Sequence, residues 1–401
     1  MKKVKRKLSV KGLKLIDDSK HFVDYGVLIP AIALSCFGVL MVYSASFYGA
    51  ENAYGNAFFF AGKQLGGLAL GVVALICCYF FNYKALCKIK IPAIVVGFVF
   101  LLLVFVPGIG IESYGAKRWI GFGAFSFQAS EIAKFCFVIF AAGYMAERKN
   151  KMGTISGILP VLLMGGLMCV LILAEPNMSV TLCVGIVMLI MLFVGGMKLK
   201  HFAFLSVPLA ALVPLLIIIE PYRMKRLMAF LDPWASPQGE GFQLIQSLYS
   251  LGGGGWFGVG LFNSRQKYSF LPFSESDFIF AIIGEEFGLF GCFVLLLVFA
   301  LLIYSGYRIA MTSSNRFGCY LAAGITSIIA VQVLINVAVV TGSIPPTGLP
   351  LPFVSAGSTS LVVFLAAVGV LLNIARQNKN ADPFIYPTRK FIDFKRRKVR
   401  I

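Results

Sequence analysis

Apolar residues run in blocks of about 20 along most of this 401-residue chain, and polar positions fall between the blocks. A helix needs about that length of apolar sequence to cross the hydrocarbon core of a bilayer. Ten such blocks occupy residues 25–47, 57–81, 91–107, 129–146, 155–174, 179–196, 202–219, 278–305, 317–341 and 358–375. The pattern predicts an all-α polytopic membrane protein with ten transmembrane helices. One polar stretch is far longer than the others. Residues 220–277, between the seventh and eighth blocks, are rich in glycine and aromatic residues and carry both signs of charge. The stretch ends on Asp277, at the lip of the next apolar block.

Composition agrees with this class: 59% of residues are hydrophobic and 13% charged, against about a quarter charged in soluble domains. The net charge of +19 suggests nucleic acid until its distribution is read. Of the 36 Lys and Arg, 27 fall in the tails and alternate short loops, seven in the remaining loops, and Lys63 and Lys134 within spans. Positive residues accumulate on the cytoplasmic side, so both termini are predicted cytoplasmic and 220–277 extracytoplasmic, with no nucleic-acid partner. Residues 1–24 and 376–401 read as basic tails, solvated or touching anionic membrane lipid, around a membrane domain over 25–375. The first block is too long for a cleavable signal peptide and follows a basic arm. Nine Cys, an odd number without metal spacing, predict no disulfide framework. His21 and His201 lie far apart in the sequence, so no zinc site is predicted.

Charged and amide side chains inside spans are costly and mark either function or paired struts. Lys63 and Gln64 sit in the second block; Glu285 and Glu286 lie a turn or more inside the eighth. Glu131 and Lys134, spaced i, i+3, share a helix face and can pair. Gln332 and Asn336, spaced i, i+4, suit bonding between helices. Residues 107–128, 175–177 and 342–360 mix Gly, Pro and polar residues. Irregular backbone near a bilayer is tolerated where it lines a cavity, so these segments and 220–277 are expected to roof one outward-facing cavity.

The stretches RWIGFGAFSFQASEIAKF (118–135), DFIFAIIGEEFGLFG (277–291) and TGSIPPTGLPLPFVSAGSTSL (341–361) resemble the signatures of the SEDS family (shape, elongation, division and sporulation). LDPW (231–234), GFQLIQSLYSLG (241–252) and NSRQK (263–267) look more like its FtsW and SpoVE branch than its RodA branch. The resemblance implies a peptidoglycan glycosyltransferase that polymerises lipid II at the outer face of the membrane, for division or sporulation. It also implies a class B penicillin-binding protein as transpeptidase partner and Asp277 as the essential aspartate. The chain departs from the family pattern in four places. The usual L-P-E-x-x-T-D is Leu271 to Asp277 with Phe273, Glu275 and Ser276; Gln-Pro-Ser-Glu is Gln128-Ala129-Ser130-Glu131; Gln-Pro-Asp is Glu175-Pro176-Asn177; and Ser-Tyr-Gly-Gly-Ser is Ser355-Ala356-Gly357-Ser358-Thr359.

For this reaction Asp277 is the candidate general base, accepting a sugar hydroxyl proton; its competing role is the N-cap of the eighth span. The seven outer cations, Lys117, Arg118, Arg223, Lys225, Arg226, Arg265 and Lys267, are candidates to hold pyrophosphate, with Arg118, Arg223 and Lys267 favoured. Glu275, Ser355 and Ser358 are further candidate substrate contacts. No dedicated metal cage is visible; a divalent cation (Mg or Mn) near Asp277, Glu275 or Asp232 would share the phosphate work. The glycines at 252–255 read as a flexible lid, and Trp234 and Trp256 as sugar-stacking or interfacial residues. Two other readings stay open: a lipid II flippase or transporter, and a non-catalytic cell-wall scaffold.

Overall fold

The computed structural model describes residues 23–378 apart from 114–115, 123–124, 220 and 269. The basic tails predicted over 1–24 and 376–401 therefore lie outside the described residues, save 23–24 and 376–378. The helices in chain order are α1 (Tyr25–Tyr54), α2 (Phe59–Phe80), α3 (Lys84–Lys88), α4 (Lys90–Leu103), α5 (Ala129–Glu147), α6 (Ile155–Ala174), α7 (Met178–Val194), α8 (Leu199–Ile219), α9 (Pro221–Leu231), α10 (Phe242–Gly254), α11 (Ile279–Thr312), α12 (Arg316–Val340) and α13 (Ser358–Gln377). Among the described residues, seven of them (α1, α2, α5, α6, α11, α12 and α13) are long and apolar enough to cross a membrane. Helices α4 and α7 are shorter and equally apolar. The chain is a multi-pass membrane protein built mostly of helix, as hydrocarbon demands of a backbone that must satisfy its own polar groups.

The spans pack through small residues. Gly67 and Gly71 of α2 face α13: a Cβ on Gly67 would stand 2.7 Å from the Ser358 Cα, and one on Gly71 would press into Leu365. In return Gly369 of α13 lies against the Leu75 carbonyl. Small residues four apart let two membrane helices approach this closely. Helices α5 and α12 form the buried centre, α12 packing on α5, α7 and α11.

Two expectations need correcting. The chain is not all-α, because 107–128 contains a three-stranded antiparallel sheet in the order β1 (Gly110–Ser113), β2 (Ala116–Phe122), β3 (Phe125–Gln128). Trp119 of β2 pairs with Ile111 on one side and Gln128 on the other. Strands this short carry too little periodicity to be told from an irregular loop. Nor is 220–277 a simple loop: it holds the amphipathic α9, a 3-10 turn at Pro233–Ala235 and α10, which packs on α11.

The glycines at 252–255 do not form a lid: Gly252 to Gly254 end α10 and Gly255 is its C-cap. Gly288, at φ 67° and ψ −169°, breaks α11, and the segment after α10 fills the gap. The N–H groups of Val259 and Gly260 donate to the carbonyls of Glu285 and Glu286 (2.9 and 3.0 Å), and those of Leu289 and Phe290 donate to Gly255 and Trp256 (2.9 and 3.0 Å). A Cβ at Gly254 would fall on the Gly284 carbonyl, and one at Gly258 on that of Glu286. Backbone meets backbone here, and only glycine fits. Gly288→Ala is expected to cost about 1–3 kcal/mol for the backbone conformation alone, since that region of φ/ψ is nearly glycine-only. The thermal midpoint of the purified variant checks this.

Candidate active site

Asp277 stands two residues before α11, and two other segments hold its backbone in place. The Asn336 amide of α12 donates to the Asp277 carbonyl and to the Leu349 carbonyl, both at 2.8 Å. The Ser355 hydroxyl donates to the Ser276 carbonyl (2.6 Å) and accepts from the Leu351 N–H (2.8 Å). The Ala356 N–H donates to the Glu275 carbonyl (2.8 Å). Gln332, one turn before Asn336, donates to the Pro350 carbonyl at 2.9 Å. Both amides thus bind the irregular segment after α12, and Gln332 also makes the expected bond between helices, its Oε1 accepting from Lys134 of α5. Phe278 occupies the N-cap position of α11, without a side-chain cap bond, so Asp277 is not the N-cap of that helix. Gly348 keeps space beside it: a Cβ there would stand 3.1 Å from Oδ2.

The carboxylate opens on a cavity of about 590 Å³ whose lining includes Lys63, Gln64, Arg118, Trp119, Glu131, Glu275, Asp277 and Ser358. Gln64 ties one wall to α2, donating to the Ser355 carbonyl and accepting from the Gly357 N–H, each at 3.0 Å. At the floor Glu131 accepts from Lys134 (2.7 Å) and from Ser360 (2.9 Å), while Lys134 also donates to Gln332 (2.8 Å). The sheet forms the opposite wall; Arg118 donates from Nε to the Glu175 carbonyl (3.2 Å) and from Nη2 to that of Pro176. The Lys63 ammonium sits over the Phe59 ring, 4.1 Å from its centre.

Burial pushes the Asp277 carboxyl up to about 6, against the pull of Arg118 and Arg226. Glu275 is raised as well, by burial, with its Ser274 hydrogen bond opposing. A half-buried carboxylate held near neutrality, beside cations and open to a cavity, is suited to accepting a proton at physiological pH.

The structure does not gather all the predicted residues. Of the seven outer cations, only Arg118 lines this cavity, and Arg226 acts on Asp277 from α9 while donating to the Pro346 carbonyl at 3.3 Å. Lys117 is exposed on β2 and Arg265 is exposed after α10. Arg223 is half-buried on α9 outside the lining. Lys267 is fully buried, bonded to Glu286 at 3.0 Å. Glu285 accepts from Ser264 (2.5 Å), Ser250 (3.2 Å) and the Arg265 N–H (2.8 Å), so both glutamates fasten the segment after α10 to α11. Ser355 has both sides of its hydroxyl engaged and is absent from the lining, whereas Ser358 faces the cavity. Asp232 caps the 3-10 turn and is not among the lining residues. The sequence marked Gln64 only as a polar residue within a span and Arg226 only as one of seven outer cations, and it gave Glu175 no chemical role.

Residues 26–380 match the family model of the FtsW/RodA/SpoVE cell cycle proteins. Stage V sporulation protein E of Bacillus subtilis (strain 168) is 42% identical over 359 residues, 89% of this chain and 98% of the relative. A probable peptidoglycan glycosyltransferase FtsW of Geobacter sp. (strain M18) is 39% identical over 361 residues, 89% and 98% of the two chains. Among solved structures, a chain of a peptidoglycan synthase complex that coordinates polymerization and crosslinking superposes with a TM-score of 0.75 at 26% identity, over 89% of this chain and 99% of that one. The rod shape determining protein RodA of Thermus thermophilus, at 23% identity and a TM-score of 0.64 over 89% and 98% of the chains, shares the fold. A site assembled from the same ordered stretches, over a match spanning nearly the whole chain, fixes the kinship: this protein belongs to the FtsW/RodA/SpoVE family.

Proposed function

We propose that this chain is a peptidoglycan glycosyltransferase that polymerises lipid II into glycan strands at the outer face of the membrane, in division or sporulation. The observation that carries the reading is the single cavity shared by Asp277, Arg118 and Lys63. In the proposed step a sugar hydroxyl attacks the anomeric carbon of a second lipid-linked saccharide. The new C–O bond forms as the bond to the diphosphate breaks. Asp277 takes the hydroxyl proton, and the diphosphate leaves as an anion toward Arg118 and Lys63. Charge-assisted contacts from a guanidinium suit that leaving group. Arg118 thus replaces the wider set of outer cations as the phosphate contact.

The topology belongs to the same reading. Helices α1, α2, α4 to α8 and α11 to α13 cross the membrane, giving ten spans with cytoplasmic tails. The sheet, α9, α10 and Asp277 then lie at the outer side. The excess of Lys and Arg in the segments assigned to the inside supports this. Glu275, beside Asp277 in the cavity lining, would hold a divalent cation that supplies charge neutralisation at the leaving diphosphate, with Asp277 kept free as the base. By likeness to the synthase complex, a class B penicillin-binding protein transpeptidase is the proposed partner.

The test is polymer formation by purified protein given lipid II, with and without a co-purified transpeptidase, across a pH series. The base must be ionised, so the rate is expected to fall about tenfold per pH unit below the Asp277 pKa of about 6. Labelled lipid that changes leaflet without any polymer would support a flippase instead.

A further inference from the structure

We infer that Glu175 is a positioning residue for the same cavity: its carboxyl stays protonated during turnover and thereby leaves Arg118 directed at the reacting groups. The inference rests on the reading of Asp277 and Arg118 just given. Glu175 follows the last turn of α6 and is fully buried, and neither side-chain oxygen has a hydrogen-bond partner. Its backbone does have one. The Glu175 and Pro176 carbonyls receive two N–H groups of Arg118, the same guanidinium that lines the cavity and acts on Asp277. Asn177, on the α7 side of the turn, is uncharged and spends its Oδ1 on the Val180 N–H. Arg118, from β2, is the charged group that acts on the Glu175 carboxyl.

A buried carboxyl without donors favours its neutral form, since charge in a low dielectric is penalised. Burial pushes Glu175 up to about 8 even with Arg118 beside it. While neutral, it makes no strong claim on the guanidinium, which keeps to the two backbone carbonyls. Once ionised, it becomes an anion competing with the substrate diphosphate for that cation. Alkaline pH is therefore expected to draw Arg118 off the cavity. This limb lies well above the acid limb set by Asp277.

The test compares the full chain with E175Q, which cannot ionise, in the lipid II polymerisation assay from pH 6.5 to 9.5. Wild type is expected to lose about tenfold in rate between pH 7 and pH 9, the drop in protonated fraction across a pKa of about 8. E175Q is expected to hold at pH 9 at least half of its own pH 7 rate. Superimposable alkaline limbs would overturn the inference. Thermal midpoints in detergent give a second arm that needs no activity. A carboxyl whose folded pKa lies above its unfolded value loses stabilisation as pH rises toward the folded value. The wild-type midpoint should therefore fall more than that of E175Q between pH 5 and pH 8.5, and parallel curves would likewise overturn the inference. A wild-type protein that makes no polymer at any pH sinks the glycosyltransferase reading and leaves the midpoints to decide the protonation of Glu175.

Discussion

Asp277→Asn is expected to lower the rate of glycan-strand formation by about 10²–10⁴-fold, the range that one positioned general base supplies. The amide keeps the shape of the carboxyl and removes its basicity. The backbone bonds that place residue 277 come from Asn336 and from the Ser276 and Glu275 carbonyls, and none uses the Asp277 side chain. The variant should therefore purify in normal yield, with a melting midpoint equal to or above that of wild type, because burial already disfavours the charged form. Initial rates on lipid II at pH 7 and melting curves on the same preparation make the check. Unchanged rates would remove Asp277 from the mechanism. A low rate with a collapsed midpoint would return it to a structural role.

What the sequence disclosed follows the range of the interactions involved. Apolar blocks announce helices because a backbone in hydrocarbon has few alternatives, and each block predicted to span contains a helix. Asp277 was visible as a carboxylate at the edge of such a block. Glu131 and Lys134 were visible as a pair because i, i+3 places them on one face, and they bond at 2.7 Å. Partners far apart in sequence were not visible. The cavity joins residues from α2, the sheet, α5, the segment before α11 and the start of α13, and only the fold decides that Arg118 enters while Arg265 and Lys117 do not. The role of the glycines near 254 and 258 depends on the break at Gly288 some thirty residues later. Glu175 gave no signal as a residue type, since its character comes from being sealed without a donor.

Lys267→Met is expected to destabilise the folded protein by about 3–5 kcal/mol, the usual cost of leaving one member of a buried ion pair without its partner. Lys267 and Glu286 are both fully buried at a separation of 3.0 Å. The Ser44 hydroxyl donates to the same Glu286 oxygen at 2.6 Å, and the other oxygen has no partner. In the variant the carboxylate must therefore ionise unpaired or take up a proton, and either course weakens the tie between α1, the segment after α10 and the upper part of α11. Glu286→Gln in the Lys267→Met background removes the orphaned charge and should recover much of the loss, as coupled sites do in a double-mutant cycle. Melting midpoints and folded yields of the two single variants and the double variant measure that coupling. A phosphate-binding lysine predicts a different pattern: Lys267→Met would melt with wild type and raise the KM for lipid II, and the second substitution would restore nothing. Independent, additive losses would likewise show that the two residues do not act as a pair.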